Sequence, residues 1–236
     1  DIDQVLVVTS QQKRAIEDHF DINGSSSHGL EGVLSCQMHY TRQSVPKGLA
    51  DAIAHAEGFV AGEPFVVSLG DSLIRSTSPG GTLSRLVETH VAQNAAATIL
   101  FETVEPEDVV RYGIAKPVGE PGQEFAIADL VEKPSVEDAP STLAVAGRYV
   151  FSPVVFDYIR RTEPGRGGEI QITDTMRLML QAGLPVWGVQ MSGGEHRLDI
   201  GNYRSYFRAF LEMALMDPEF GPEFAEFARS RLDEDA

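Results

Sequence analysis

The stretch Pro64 to Ile74, PFVVSLGDSLI, constrains the fold more than any other part of the chain. Phe65, Val66, Val67, Ser68 and Leu69 form a short, nearly continuous apolar run rich in β-branched residues. Such a run reads as a strand buried on both faces, as in a parallel sheet covered by helices. It stops at Gly70 and Asp71, which sets a carboxylate just past the strand's C-terminal end. Open α/β sheets bind their ligands at that edge. Read alone, however, Asp71 is a turn-capping carboxylate.

The remaining pattern fits an α/β chain. Val5 to Thr9 reads as a buried strand, and Gln11 to Phe20 as a helix with Ser10 at its N-cap. Asp21 to Gly32 is a polar Ser/Gly-rich loop, followed by a strand over Val33 to Thr41. Helices are expected over Leu49 to Glu57 and Leu83 to Gln93, and a strand over Ala97 to Glu102. Arg111 to Pro117, Phe125 to Glu132 and Ala144 to Phe151 then read as strands with no full helix between them. That implies an antiparallel extension flanking a mostly parallel central sheet with helices on both faces. Pro153 to Arg161 and Glu169 to Gly183 are helical, Pro185 to Met191 is a strand, and the chain is helical from Tyr203 onward. Residues 1–202 therefore read as one catalytic domain and 203–236 as a C-terminal helical tail. The tail's Tyr206, Phe207, Phe210, Leu211 and Met213 could be covered within the chain or by another subunit.

Bulk properties exclude several function classes. A formal net charge of -16 over 236 residues argues against a nucleic-acid partner, which needs a basic face. Cys36 is the only cysteine, so no intrachain disulfide or thiolate cluster forms, and a reducing cytoplasm fits. No apolar run is long enough to span a membrane.

Four groups could carry chemistry. Asp71 and Asp199 each sit beside a glycine after a strand-like segment. If they converge, they make a hard oxygen site suited to Mg²⁺. Glu132 and Lys133 precede Pro134 at a strand end, where a lysine could hold a phosphate as a point charge. Taken alone, they read better as an exposed ion pair before a turn. Gln43 offers an amide able to read a base edge, and Gly48 lets backbone approach a ligand. Tyr112 and Gly113 stand at a strand start with no decisive signal of their own. His19, His55 and His90 lack partners at metal-ligand spacing, and Gly80-Gly81 is not followed by the Lys-Ser/Thr of a phosphate loop.

Taken together, RQSVPKGLADA, PFVVSLGDS, RYGIAKP, DLVEKP, VAGRYVFSP, GGEIQITD and RLDIGNYRSYFRAF resemble the bacterial sugar-1-phosphate nucleotidylyltransferases. They occur in that family's order from Val5 to about Pro218. The resemblance implies a Rossmann-like nucleotide-diphospho-sugar transferase fold. It also implies transfer of a nucleotidyl group from a nucleoside triphosphate to a sugar 1-phosphate, releasing pyrophosphate. Carried over by position, Asp71 and Asp199 hold Mg²⁺ and Lys133 holds the sugar phosphate. Gly113, Glu132 and Gly147 contact the sugar, and Gln43 and Gly48 contact the pyrimidine. UTP and glucose 1-phosphate are the implied substrates, with dTTP as the alternative nucleotide, in a homo-oligomer. Ser72 stands where many uridylyltransferases have a second Asp after LGD, and GLADA is nearer the thymidylyl branch, but GGEIQITD and RLDIG pull the balance toward the uridylyl branch. The family's G-x-G-T-R loop, which wraps the triphosphate, does not occur in these residues and is expected before Asp1. Residues 1–236 alone are therefore expected to be inactive, and a sugar-phosphate-binding homologue without turnover is the alternative reading.

Overall fold

Alternating strands and helices form in the order the hydrophobic pattern implies, in a computed structural model that describes residues 2–20, 36–76 and 80–234. The loop expected over 21–32, the start of the strand expected at 33 and the break at 78–79 lie outside the described residues. The first half contains β1 (Gln4–Thr9), α1 (Arg14–Phe20), β2 (Gln37–Arg42), α2 (Leu49–Ala54), α3 (Glu57–Val60), β3 (Phe65–Ser68), β4 (Ser72–Ser76), α4 (Gly81–Ala92) and β5 (Ala97–Thr103). A 3₁₀ turn, Pro106–Arg111, leads to β6 (Gly113–Pro117), β7 (Glu124–Glu132), β8 (Leu143–Phe151) and α5 (Val155–Ile159). The chain continues through α6 (Ile172–Gln181), β9 (Val186–Gln190), β10 (Glu195–Asp199), α7 (Tyr203–Met216) and α8 (Gly221–Glu234).

The central sheet has six strands in the order β3-β8-β5-β9-β7-β6. Strand alternation splits β5 between two apolar layers. Ile99 and Phe101 pack with α2, α5 and α6 residues such as Ile53, Val155, Met176 and Met179. Leu100 faces the other way, onto Leu86 of α4 with Ala146, Val150 and Val189. Helices thus cover both faces. Phe101, Phe151, Ile99, Met176 and Met179 are fully buried, each worth roughly 2–3 kcal/mol of transfer free energy.

Two expectations need correction. The sheet is mixed: only β5 and β9 are adjacent and parallel within it. The antiparallel β8 lies inside the sheet, between β3 and β5, rather than in a flanking extension. Residues 65–67 of β3 are half-buried, not buried on both faces, because β3 stands at the end of the strand order. An apolar run identifies a strand but not its neighbours. β4 was not anticipated at all; it forms a separate antiparallel ribbon with β10, pairing Ser72 with Asp199 and Leu73 with Leu198. β1 and β2 form a parallel pair.

One irregularity shapes the site. Between Ile99 and Phe101 of β5, the partners on β8 jump from Tyr149 to Val145, so β8 bulges around residues 146–148. Gly147 adopts φ 73°, a left-handed conformation that favours glycine. Its Leu69 partner donates N–H to Gly147 O at 3.0 Å, which ties the end of β3 to the bulge.

The helical tail is present as α7 and α8. In α7 only Ala209 is buried, while Tyr203 and Phe207 are 83% and 64% exposed. Among the described residues no helix is long and apolar enough to cross a membrane.

Candidate active site

The β3–β4 turn carries Asp71 to the rim of a cavity of about 330 Å³. Seven of the residues singled out in the sequence line it: Asp71, Tyr112, Gly113, Glu132, Lys133, Gly147 and Asp199. Strand ends explain the convergence. Gly113 opens β6 and pairs with Glu132 at the end of β7, while Asp199 ends β10.

Asp71 and Asp199 flank a single glycine. Ile200 N–H donates to Asp71 O at 2.8 Å, and Gly201 N–H donates to Asp199 Oδ1 at 2.8 Å. A β-carbon placed on Gly201 would meet Asp71 Oδ2 at 3.1 Å and Asp199 Oδ1 at 3.2 Å. Both carboxylates therefore reach one small region, kept clear because residue 201 has no side chain. Hard carboxylate oxygens of this kind suit a divalent cation that keeps several waters and takes its other ligands from phosphates. Among the described residues no group of three or more His, Cys, Asp or Glu is placed to hold a metal ion, so Asp71 and Asp199 are the acidic ligands those residues offer there. That donor set fits Mg²⁺ better than a structural zinc.

Glu132 and Lys133 line the same cavity. Glu132 Oε2 accepts from Thr173 Oγ1 at 2.8 Å, and its Oε1 lies 3.8 Å from Lys133 Nζ. Thr173 is in the first turn of α6, the helix that begins in the EIQITD stretch. A β-carbon at 113 would stand 3.1 Å from Thr173 Oγ1 and 3.2 Å from Glu132 Oε2, close enough that one of these side chains would have to shift. Lys133 itself has φ 45°, an uncommon conformation for a residue with a side chain and one that concentrates at functional sites. Its N–H donates to Tyr112 O at 3.0 Å, which fixes the turn.

Two arginines that sequence reasoning did not single out also line the cavity. Arg197 and Arg111 both lie over the Tyr112 ring, at 4.6 and 5.4 Å from its centroid. Arg111 Nη2 is 3.6 Å from Asp199 Oδ2, and Arg197 bonds Glu102. Burial would depress the Arg197 guanidinium, but Glu102 and Tyr112 together outweigh it and raise the arginine's pKa. Burial in turn raises the Glu102 carboxyl, against the pull of Arg197. Burial, followed by the charges of Glu132 and Asp71, pushes the Tyr149 phenol up, so this cavity-lining hydroxyl stays protonated. Arg197 lay within the RLDIG match, and Arg111 within RYGIAKP, but neither motif assigns them a role.

Gln43 and Gly48 are not part of the cavity lining; Leu49, the residue after Gly48, is. Gln43 is buried, and its Nε2 donates to Asp51 Oδ2 at 2.6 Å and to Gly48 O at 3.3 Å. Gly48 has φ 103°, and a β-carbon there would stand 2.5 Å from Ile170 O. The discounted His90 is a buried core residue whose ring nitrogens meet Thr98 Oγ1 and Ser152 Oγ, both at 3.1 Å.

Comparisons with known proteins agree with this geometry. Residues 1–215 match the family model described as nucleotidyl transferase, a family that generally uses a divalent metal. The UTP–glucose-1-phosphate uridylyltransferase 2 of Streptococcus pyogenes serotype M3 is 36% identical over 232 residues, covering 92% of this chain and 77% of that protein. A crystal structure of UDP-glucose pyrophosphorylase complexed with UDP-glucose superposes with TM-score 0.80 at 33% identity, covering 88% of this chain and 79% of that one. The UTP-bound enzyme from Acinetobacter baumannii gives TM-score 0.83 at 30% identity, covering 96% of this chain and 82% of that one. A mixed sheet covered on both faces, a cavity with two converging aspartates, and these matches lead to one assignment: the chain belongs to the nucleotidyl transferase family.

Proposed function

We propose that the protein makes UDP-glucose and pyrophosphate from UTP and glucose 1-phosphate. A phosphate oxygen of glucose 1-phosphate attacks the α-phosphorus of UTP. The new P–O bond forms as the bond to the β-phosphate bridging oxygen breaks, and pyrophosphate leaves with that electron pair. Both reactants are anions, so catalysis is chiefly positioning and charge neutralisation.

Lys133 neutralises the sugar phosphate, and its neighbour Glu132 accepts hydrogen bonds from sugar hydroxyls beside Gly113 and Gly147. Gln43 and Gly48 shape the pyrimidine end next to Leu49. Asp71 and Asp199 hold Mg²⁺, which when bound offsets charge on the triphosphate and leaving group. The observation that carries this reading is the convergence of Asp71 and Asp199 beside Gly201, in the same cavity as Glu132 and Lys133. Names of the relatives, among them a UTP-bound enzyme, support the choice of nucleotide.

Residues 1–202 form the proposed catalytic domain and 203–236 a helical tail whose exposed aromatic residues suit a homo-oligomer. A single cysteine fits a reducing cytoplasm. The test is pyrophosphate release by the full-length protein with glucose 1-phosphate and either UTP or dTTP. Release with UTP at least tenfold faster than with dTTP is expected. Release with neither nucleotide would overturn the proposal.

A further inference from the structure

We infer that Arg148, outside the cavity lining, is a positioning residue for Asp71: its guanidinium clamps the Leu69–Ser72 turn and so sets where the Asp71 carboxylate stands relative to Asp199. This rests on the reading of Asp71 and Asp199 as a divalent-cation site.

The Asp71 turn is held from one side by a single planar group. Arg148 Nη1 donates to Leu69 O at 3.1 Å and to Gly147 O at 3.0 Å, while Nη2 donates to Ser72 O at 2.6 Å. Leu69 and Ser72 are the two ends of the turn, and Ser72 N–H closes it onto Leu69 O at 3.3 Å. Ser72 Oγ adds a bond to Ala146 O at 3.0 Å. The bulge at residues 146–148 thus grips both ends of the segment that carries Asp71.

Only an arginine suits this arrangement. A planar fork can serve carbonyls in fixed directions at once, whereas a lysine ammonium is a point donor on a flexible stem. Among the described residues Arg148 makes no ion pair within 4.0 Å of a carboxylate, and its donors go to the backbone carbonyls of Leu69, Gly147 and Ser72. Burial lowers its pKa and the nearby Asp71 charge opposes that shift. Groups that orient a metal ligand change metal affinity by about 10- to 100-fold when lost.

The test is Mn²⁺ affinity of the full-length protein, read from the free-ion paramagnetic resonance signal, in R148K, R148Q, D71N and the R148K/D71N double variant. UDP-glucose affinity in EDTA and the thermal midpoint are measured alongside. Expected is about tenfold weaker Mn²⁺ binding in R148K, UDP-glucose affinity within twofold of wild type, and recovery of turnover at raised Mn²⁺. In the D71N background R148K should have no further effect, because Arg148 acts through Asp71. Should R148Q fail to fold, R148K decides. Wild-type Mn²⁺ affinity in R148K beside a weakened D71N overturns the inference and leaves the metal reading standing. So does an equal R148K loss in both backgrounds. Unchanged Mn²⁺ affinity in D71N overturns the metal reading, and the inference with it.

Discussion

Ser72 pairs with Asp199 across the antiparallel β4–β10 ribbon, and that register sets Asp71, one residue earlier, against the Asp199 carboxylate. The two acids are far apart in the chain. They meet because one ribbon starts where the other strand ends, and because Gly201 leaves the space between them open.

Gly201→Ala should therefore act on the site and not on the fold. Its methyl would sit 3.1 Å from Asp71 Oδ2 and 3.2 Å from Asp199 Oδ1, so a carboxylate must move by a few tenths of an ångström. Expected is a fall in kcat/KM of roughly tenfold or more, with a thermal midpoint close to wild type. A pyrophosphate-release assay beside a melting curve checks both parts.

Lys133→Gly should separate stability from function. At φ 45° a glycine relieves strain of about 1 kcal/mol, so urea unfolding should show equal or greater stability. Glucose 1-phosphate affinity should fall at least tenfold, measured by calorimetry, because the cation is gone. Unchanged affinity would remove Lys133 from the phosphate site.

Gly48→Ala should destabilise. It combines φ 103° with a β-carbon 2.5 Å from Ile170 O, a backbone contact that cannot swing aside. A loss of roughly 2–4 kcal/mol is expected in urea unfolding. The Ala50 N–H bond to Ile170 O, at 3.1 Å, should weaken with it.

Glu195 anchors the start of β10. Burial would raise its carboxyl, but Arg85, Thr82 and the Ser192 N–H outweigh that and hold its pKa at about 2. A depressed folded pKa gives stability that is full above the unfolded value, near 4.5, and lost as pH falls toward 2. The contribution is on the order of 3 kcal/mol. Urea unfolding at pH 7 and pH 3 should show a smaller pH-dependent loss in Glu195→Gln than in wild type, although the variant is weaker at pH 7 because Arg85 loses its partner.

Much of the fold was legible because its strands are apolar runs closed by Gly, Pro or Asp. PFVVSLGD gave a strand and a carboxylate beyond it, and both are there. What escaped was non-local. β8 reads like any buried strand, and nothing in LAVAGRYVF says that it enters between β3 and β5 in the opposite direction. β4, SLIRS, is too short to stand out without its partner. Of the site, acids and glycines in strand–turn contexts were visible, whereas Arg111, Arg148 and Arg197 were not. A surface arginine and one turned inward onto carbonyls or a tyrosine ring look alike in sequence; only the bulge and the pairing register distinguish them.

The central claim is that Asp71 and Asp199 share one divalent cation facing the phosphate held by Lys133. Anomalous scattering from crystals of the full-length protein grown with Mn²⁺ and UDP-glucose tests it most directly. The account predicts a manganese peak within coordination distance of both carboxylates beside Gly201, with Lys133 Nζ against a phosphate oxygen. A peak elsewhere, or a phosphate far from Lys133, would contradict it.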